Sequence, residues 1–235
     1  MRGRLCAALA LVLGLSPGPA FAATAEDSWT LEMRQAMEAH QDGNFEEAAE
    51  RLQAALALAE GFGGSDPRLG ETLLALGATH YEGGDYDAAL SPLERAVPVI
   101  EESVGPDATK LASALNALAL VYGRQGRPED ARPLYRRAIS IYEAALGPEH
   151  PNVALVVENL AGLALMAGQY EDAEPLFARA LDIKERRYGR ESPELIDTLQ
   201  NYALVLTYLG RENDAEQLDS RATAIRERLN GSGAP

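Results

Sequence analysis

Two asparagines, Asn159 and Asn201, stand 42 residues apart in a chain of 235. A side-chain amide both donates and accepts a hydrogen bond, so two of them on one wall can match the backbone of an extended peptide whatever side chains it carries. Helix interiors disfavour asparagine, and nothing in the local sequence asks for one; the alternative is that each amide only caps or solvates a helix face. Residues suited to catalysis are scattered instead. His40, His80 and His150 occur without a His-Glu-x-x-His pair, a phosphate-binding loop or a nucleophile motif around a serine. His80 holds a place in the sequence pattern filled elsewhere by Tyr122 and Leu206 and reads as a packed residue, while His150 precedes Pro151 and reads as a turn residue. Glu46 with Glu47, and Glu101 with Glu102, lack the convergent partners that a cation needs. The sequence predicts no catalysis, no cofactor and no metal.

Charge narrows the partners. The chain has 36 acidic and 21 basic residues, a formal net charge of −15. Phosphate contacts need a basic face and none is visible, so nucleic acid is not an expected partner. The first residues, MRGRLCAALALVLGLSPGPAFA, place Arg2 and Arg4 before an apolar run from Leu5 to Leu15, then helix breakers and Ala-Phe-Ala. That layout predicts a secretory signal over 1–22 with cleavage after Ala22, and hence a periplasmic protein. An uncleaved anchor is the competing reading, but eleven apolar residues at about 1.5 Å each fall short of a hydrocarbon core about 30 Å thick. Cleavage removes two arginines, making the net charge −17, and it removes Cys6, the one cysteine. The mature chain then has no disulfide and no thiolate, and no membrane insertion is expected of it.

A repeat positions the asparagines. Gly84, Gly126, Gly168 and Gly210 are each 42 residues apart, and Gly63, Gly105, Gly147 and Gly189 form a second ladder at the same interval. The first unit is one residue short between Gly43 and Gly63. Between the ladders, residue size is kept as well as position. Ala48, Ala89, Ala131, Ala173 and Ala215 form one column, Ala55, Ala96, Ala138, Ala180 and Ala222 another, and Leu52, Leu93, Tyr135, Phe177 and Asp219 stand between them. In the fourth unit, Tyr170, Ala173, Phe177, Ala180 and Leu181 mark one face of a helix. In the other half of each unit, Leu73, Leu115, Val157 and Leu199 precede Leu76, Leu118, Leu160 and Tyr202 by three, ahead of a small column of Ala36, Gly77, Ala119, Ala161 and Ala203. Small residues at matching positions let two helices approach closely, and the large column fills the space beside them.

Each unit is therefore predicted to be a helical hairpin. Ladder glycines end helices because a residue without Cβ takes the left-handed conformation cheaply. Pro67, Pro151 and Pro193 sit where the first turn of the next helix needs no amide donor. Pro175 lies near a helix start, where little hydrogen bonding is lost, whereas Pro98 falls mid-helix and predicts a kink.

These columns resemble the tetratricopeptide repeat (TPR), and the 42-residue period, with LGPEHPNVALVVENLAGLAL and GQYEDAEPLFARAL, is more specifically similar to the kinesin light chain class of that repeat. The resemblance spans Glu26 to Leu229 as five units, at about 26–62, 67–104, 109–146, 151–188 and 193–229, within an array over 23–229 followed by a flexible tail at 230–235. It is weaker at both ends, where Glu32 and Gln35 occupy large columns of the first unit and Glu212 and Asp219 replace aromatics in the last. Polar residues there would cap the stack.

The resemblance implies an all-α fold, a right-handed superhelical TPR solenoid whose first helices line a concave groove for a protein or peptide. The exposed first-helix positions that match the family's groove are Ser113, Asn116 and Arg124 in unit three; Leu155, Glu158, Asn159, Leu165 and Met166 in unit four; and Asp197, Gln200, Asn201, Thr207 and Tyr208 in unit five. A clamp for a C-terminal carboxylate is not expected, because Ala75 and Ala117 occupy the column where the family's clamp has asparagine. Arg136, Arg137, Arg179 and Lys184 fall on second helices and are expected on a solvated outer face with nearby glutamates. Two functions fit: an adaptor whose groove holds an extended peptide, or a structural subunit of an envelope or secretion assembly that uses its convex face or ends.

Overall fold

A computed structural model describes residues 24–231. The signal predicted over 1–22 and residues 232–235 of the expected tail lie outside the described residues.

The described residues form ten α-helices and no strand. The helices are α1 (Ala25–Gln41), α2 (Phe45–Glu60), α3 (Pro67–Glu82), α4 (Tyr86–Val104), α5 (Thr109–Arg124), α6 (Pro128–Leu146), α7 (Pro151–Met166), α8 (Tyr170–Tyr188), α9 (Ile196–Tyr208) and α10 (Glu212–Gly231). Consecutive pairs make five hairpins, and each packs against the next along the chain, so the whole is a helical-repeat solenoid.

The columns meet as their sizes predict. Ala89, Ala131, Ala173, Ala96, Ala138 and Ala180 are wholly buried, with Leu93, Tyr135 and Phe177 between them. The small column is as tight as it can be: at Gly77 even a Cβ would lie 2.4 Å from Leu93 Cγ. A main core built from Leu73, Ile100, Leu111, Leu115, Tyr142, Val153 and Val157 runs through units two to four. At the far end Asp219 occupies the large column and is exposed, with no further hairpin over it among the described residues.

All the ladder glycines have positive φ, and Gly43 joins them. The two ladders use different conformations. Within hairpins φ is +71° to +82°, the left-handed turn. Between hairpins Gly105, Gly147 and Gly189 have φ of +93°, +91° and +87° with ψ of 164°, 154° and 157°, a region open essentially to glycine alone. Gly147→Ala, with no steric neighbour to blame, is therefore expected to cost about 1–3 kcal/mol through backbone strain; chemical denaturation measures it, and a change below a few tenths would mean that the joint tolerates another conformation.

Pro67 and Pro151 open α3 and α7 as expected, each behind a capping side chain. Asp66 accepts from the Arg68 amide at 2.9 Å, and His150 Nδ1 accepts from Asn152 N–H at 3.1 Å. The Arg68 guanidinium beside Asp66 holds its carboxyl down at about 2. Pro193 departs from the pattern: it begins a 3-10 turn, Pro193–Leu195, and α9 starts only at Ile196. Pro98 does not divide α4, which continues to Val104; it lies on an exposed position, where the carbonyl that loses its donor faces water. Pro175 lies inside α8, past the first turn, so it does remove one helical bond. α10 continues through Asn230 to Gly231, beyond the expected start of the tail. The first hairpin is tied to the second by Trp29, which the columns did not mark; its indole donates to Thr72 Oγ at 2.9 Å.

Second helices are joined by a series of ion pairs. Arg95 meets Glu60 at 2.7 Å and Arg137 meets Glu101 at 2.6 Å; Arg179 pairs with Glu143 and Arg221 with Glu185. The arginines recur every 42 residues, each reaching back to the preceding hairpin. Arg137 holds the Glu101 carboxyl below its usual range by hydrogen bonding. Arg137 and Arg179 thus find glutamates as expected, but in the neighbouring unit.

Candidate functional site

First helices position one elongated open cavity of about 600 Å³. Its walls come from α3, α5, α7 and α9 with the 3-10 turn, and Tyr135 of α6 and Lys184 of α8 reach into it from behind. Arg124, Leu155, Glu158, Asn159, Leu165, Met166, Asp197 and Asn201 line it together, so most of the groove positions implied by family resemblance share one surface. Tyr81, Leu120, Gly123, Gly162, Leu163, Lys184, Pro193 and Glu194 complete it; Tyr81 shares the column of Leu165 and Thr207 but in a unit from which no groove position was drawn, and Lys184 comes from a second helix.

The walls carry three kinds of chemistry. Leu155 and Met166 are 50% and 64% exposed, two apolar side chains toward opposite ends of α7, about 16 Å apart along its axis. Asn159 lies between them and donates to Asn116 Oδ1 at 2.9 Å, while Asn201 on the next helix is exposed. Asn116 thus orients Asn159 and leaves the other oxygen of the pair, on Asn159, to accept a guest's N–H. Third, the groove is charged in parts. Arg124 Nε donates to Tyr81 OH at 3.3 Å, and that bond holds the guanidinium's pKa above its ordinary value. Tyr135 closes the floor; burial pushes its phenol well up, so it keeps its proton.

Glu158 is committed to the fold. It pairs with Lys184, and Thr198 Oγ both donates to Glu158 and accepts from Lys184 at 2.7 Å. Lys184 is therefore a partly buried tie between units four and five, a correction to its expected place on the solvated outer face; the cause is a helix register that turns it inward beside Thr198, which is fully buried.

Five predicted positions do not line this cavity. The Ser113 hydroxyl is 2.7 Å from Tyr142 OH and 3.2 Å from the Thr109 carbonyl oxygen to which it donates, and Asn116 serves Asn159. Gln200 accepts from Arg226 at 3.0 Å. Tyr208 stacks on Tyr170 with ring centroids 4.4 Å apart and planes 10° from parallel, extending an apolar edge at the fifth unit. Thr207 faces the end surface beside Glu216 and Asp219.

The histidines do not converge. His40 Nε2 lies 3.2 Å from Glu82 and its ring packs edge-on against Phe45, His80 is half-buried, and His150 caps α7. Among the described residues no group of three or more His, Cys, Asp or Glu side chains is arranged to hold a metal, and no helix is long and apolar enough to cross a membrane.

A family model described as tetratricopeptide repeat matches residues 29–102, 110–186 and 152–228. Among solved structures, BtubC (BKLC) from P. vanneervenii superposes with a TM-score of 0.75 at 23% identity, over 91% of this chain and 95% of its own. A Podosopora anserina putative kinesin light chain with nearly identical TPR-like repeats gives a TM-score of 0.73 at 21% identity, over 86% of this chain and 97% of its own. The Rap conjugation gene regulator of the plasmid pLS20, solved in complex with the Phr* peptide, gives 0.66 at 15% identity, over 92% of this chain and 60% of its own. At such identities the likeness is one of fold. No curated protein matches the sequence.

Proposed function

The chain belongs to the tetratricopeptide repeat family, and from that premise we propose that it is an exported interaction module that holds an extended segment of a partner protein in the groove of its first helices. The observation that carries this reading is a groove wall on which two apolar side chains, Leu155 and Met166, are half-exposed or more, with the Asn159 amide between them and the Asn201 amide on the next helix. Apolar side chains of the guest bury themselves there, and the amides satisfy its backbone. Export rests on the layout of residues 1–22, which supports a periplasmic site of action.

A second reading, a structural subunit that works through its outer surface, draws on a different observation. Val104, Leu146 and Tyr188 recur every 42 residues and each is exposed, so they form an apolar stripe along one edge.

Photocrosslinkers placed at Leu155 and, separately, at Leu146 distinguish the two in an envelope extract, with the crosslinked species mapped by mass spectrometry. The groove reading expects capture from position 155, and Asn159→Ala with Asn201→Ala to weaken it about ten- to a hundredfold, the worth of two hydrogen bonds. Capture from position 146 alone, indifferent to the double substitution, would establish the edge instead.

A further inference from the structure

The groove changes sign along its length, and we infer that it selects guests bearing a basic residue on the side of their apolar anchor that meets the fifth unit. This rests on the groove reading above and names the chemistry of its guest.

Leu155 and Asp197 occupy the same column in successive units, 42 residues apart, so the exposed leucine on α7 is followed on α9 by a carboxylate. Glu194 lines the same end of the cavity. Both acids are exposed, and among the described residues neither takes part in an ion pair. Ser192 donates to Glu194 and holds its carboxyl below the usual range, which keeps it charged. The other acid of the groove, Glu158, is neutralised by Lys184. At the opposite end Arg124 presents a cation whose bonded partner is the neutral Tyr81 hydroxyl.

A guest lysine or arginine therefore meets attraction beyond α7 toward α9, and repulsion where the guest passes the C-terminal end of α5, at Arg124. The net charge of −15 adds a general pull on cationic segments. Packed helices lie about 8–10 Å apart and an extended chain advances about 3.3 Å per residue. The basic residue thus falls about three positions from the anchor.

The probes are short blocked Ser-Gly peptides with a central Leu-Phe anchor and, three positions away, either two lysines or two glutamates, each made with the charges on either side of the anchor. Isothermal titration calorimetry at low ionic strength is expected to show a lysine peptide binding about tenfold more tightly than its glutamate twin, the preference shrinking as salt screens exposed charges. In Asp197→Asn with Glu194→Gln the preference is expected to fall below about twofold while anchor binding persists. Equal affinity of the twins for the unaltered protein, or a preference that survives the double substitution, overturns this inference and leaves the groove standing. Binding of neither peptide, or binding of both that Leu155→Glu does not disturb, removes the groove reading and this inference with it.

Discussion

Phe177→Ala lowers the unfolding free energy by about 3–5 kcal/mol. The ring is completely buried, packed among Ala161, Ala164, Ala173 and Val205, small residues whose backbones are already in close approach. They cannot collapse into the space left behind, so the loss combines transferred surface with an unfilled cavity. Asp219 is the internal control: it stands in the same column one unit later, exposed on the end of the array. Asp219→Ala should shift stability by no more than about 0.5 kcal/mol. Urea titrations of the two variants measure both numbers, and equal effects would show that the fifth unit is not the end of the stack.

Lys184→Met is expected to cost about 2–4 kcal/mol. Its side chain and that of Glu158 are 16% and 15% exposed, so removing the ammonium strands a carboxylate that has little water to turn to. Thr198, fully buried, still donates to it and offsets a part of the loss. The companion double variant, Lys184→Met with Glu158→Leu, should recover most of the stability, since well-packed apolar residues replace such a pair at little cost. Arg95→Met supplies the contrast: Arg95 and Glu60 are about half exposed, and the expected change is under about 1 kcal/mol. A Lys184 variant that behaves like the Arg95 variant would mean that water reaches the Glu158 carboxylate.

These two cases also show what residue order reveals. Phe177 is legible because size recurs: alanine, large, alanine at fixed intervals leaves one packing solution for a pair of close helices. The glycine ladders are equally legible, since backbone sterics act on one residue at a time. Lys184 is not, because its counterpart one unit earlier is Tyr142, and its direction depends on the neighbouring Thr198 and Glu158. The arginine series on the second helices was present as a 42-residue column, yet its partners lie in the preceding hairpin, about one unit away in sequence, beyond the reach of rules for charges within one helix. The groove was legible as a surface. Which of its members remain available was not, because Ser113, Asn116 and Gln200 are each claimed by a side chain that only packing brings near.

The joints between hairpins carry a consequence of handedness. Gly105, Gly147 and Gly189 combine positive φ with extended ψ, a pairing that only a residue without a Cβ adopts at little cost. An added Cβ would meet nothing within 4 Å at any of the three, so what a side chain costs there is backbone strain and not crowding. The joints between these hairpins are thus set by the handedness of the chain itself, and a single methyl group added at one of them probes the angle of the joint while leaving its packing untouched.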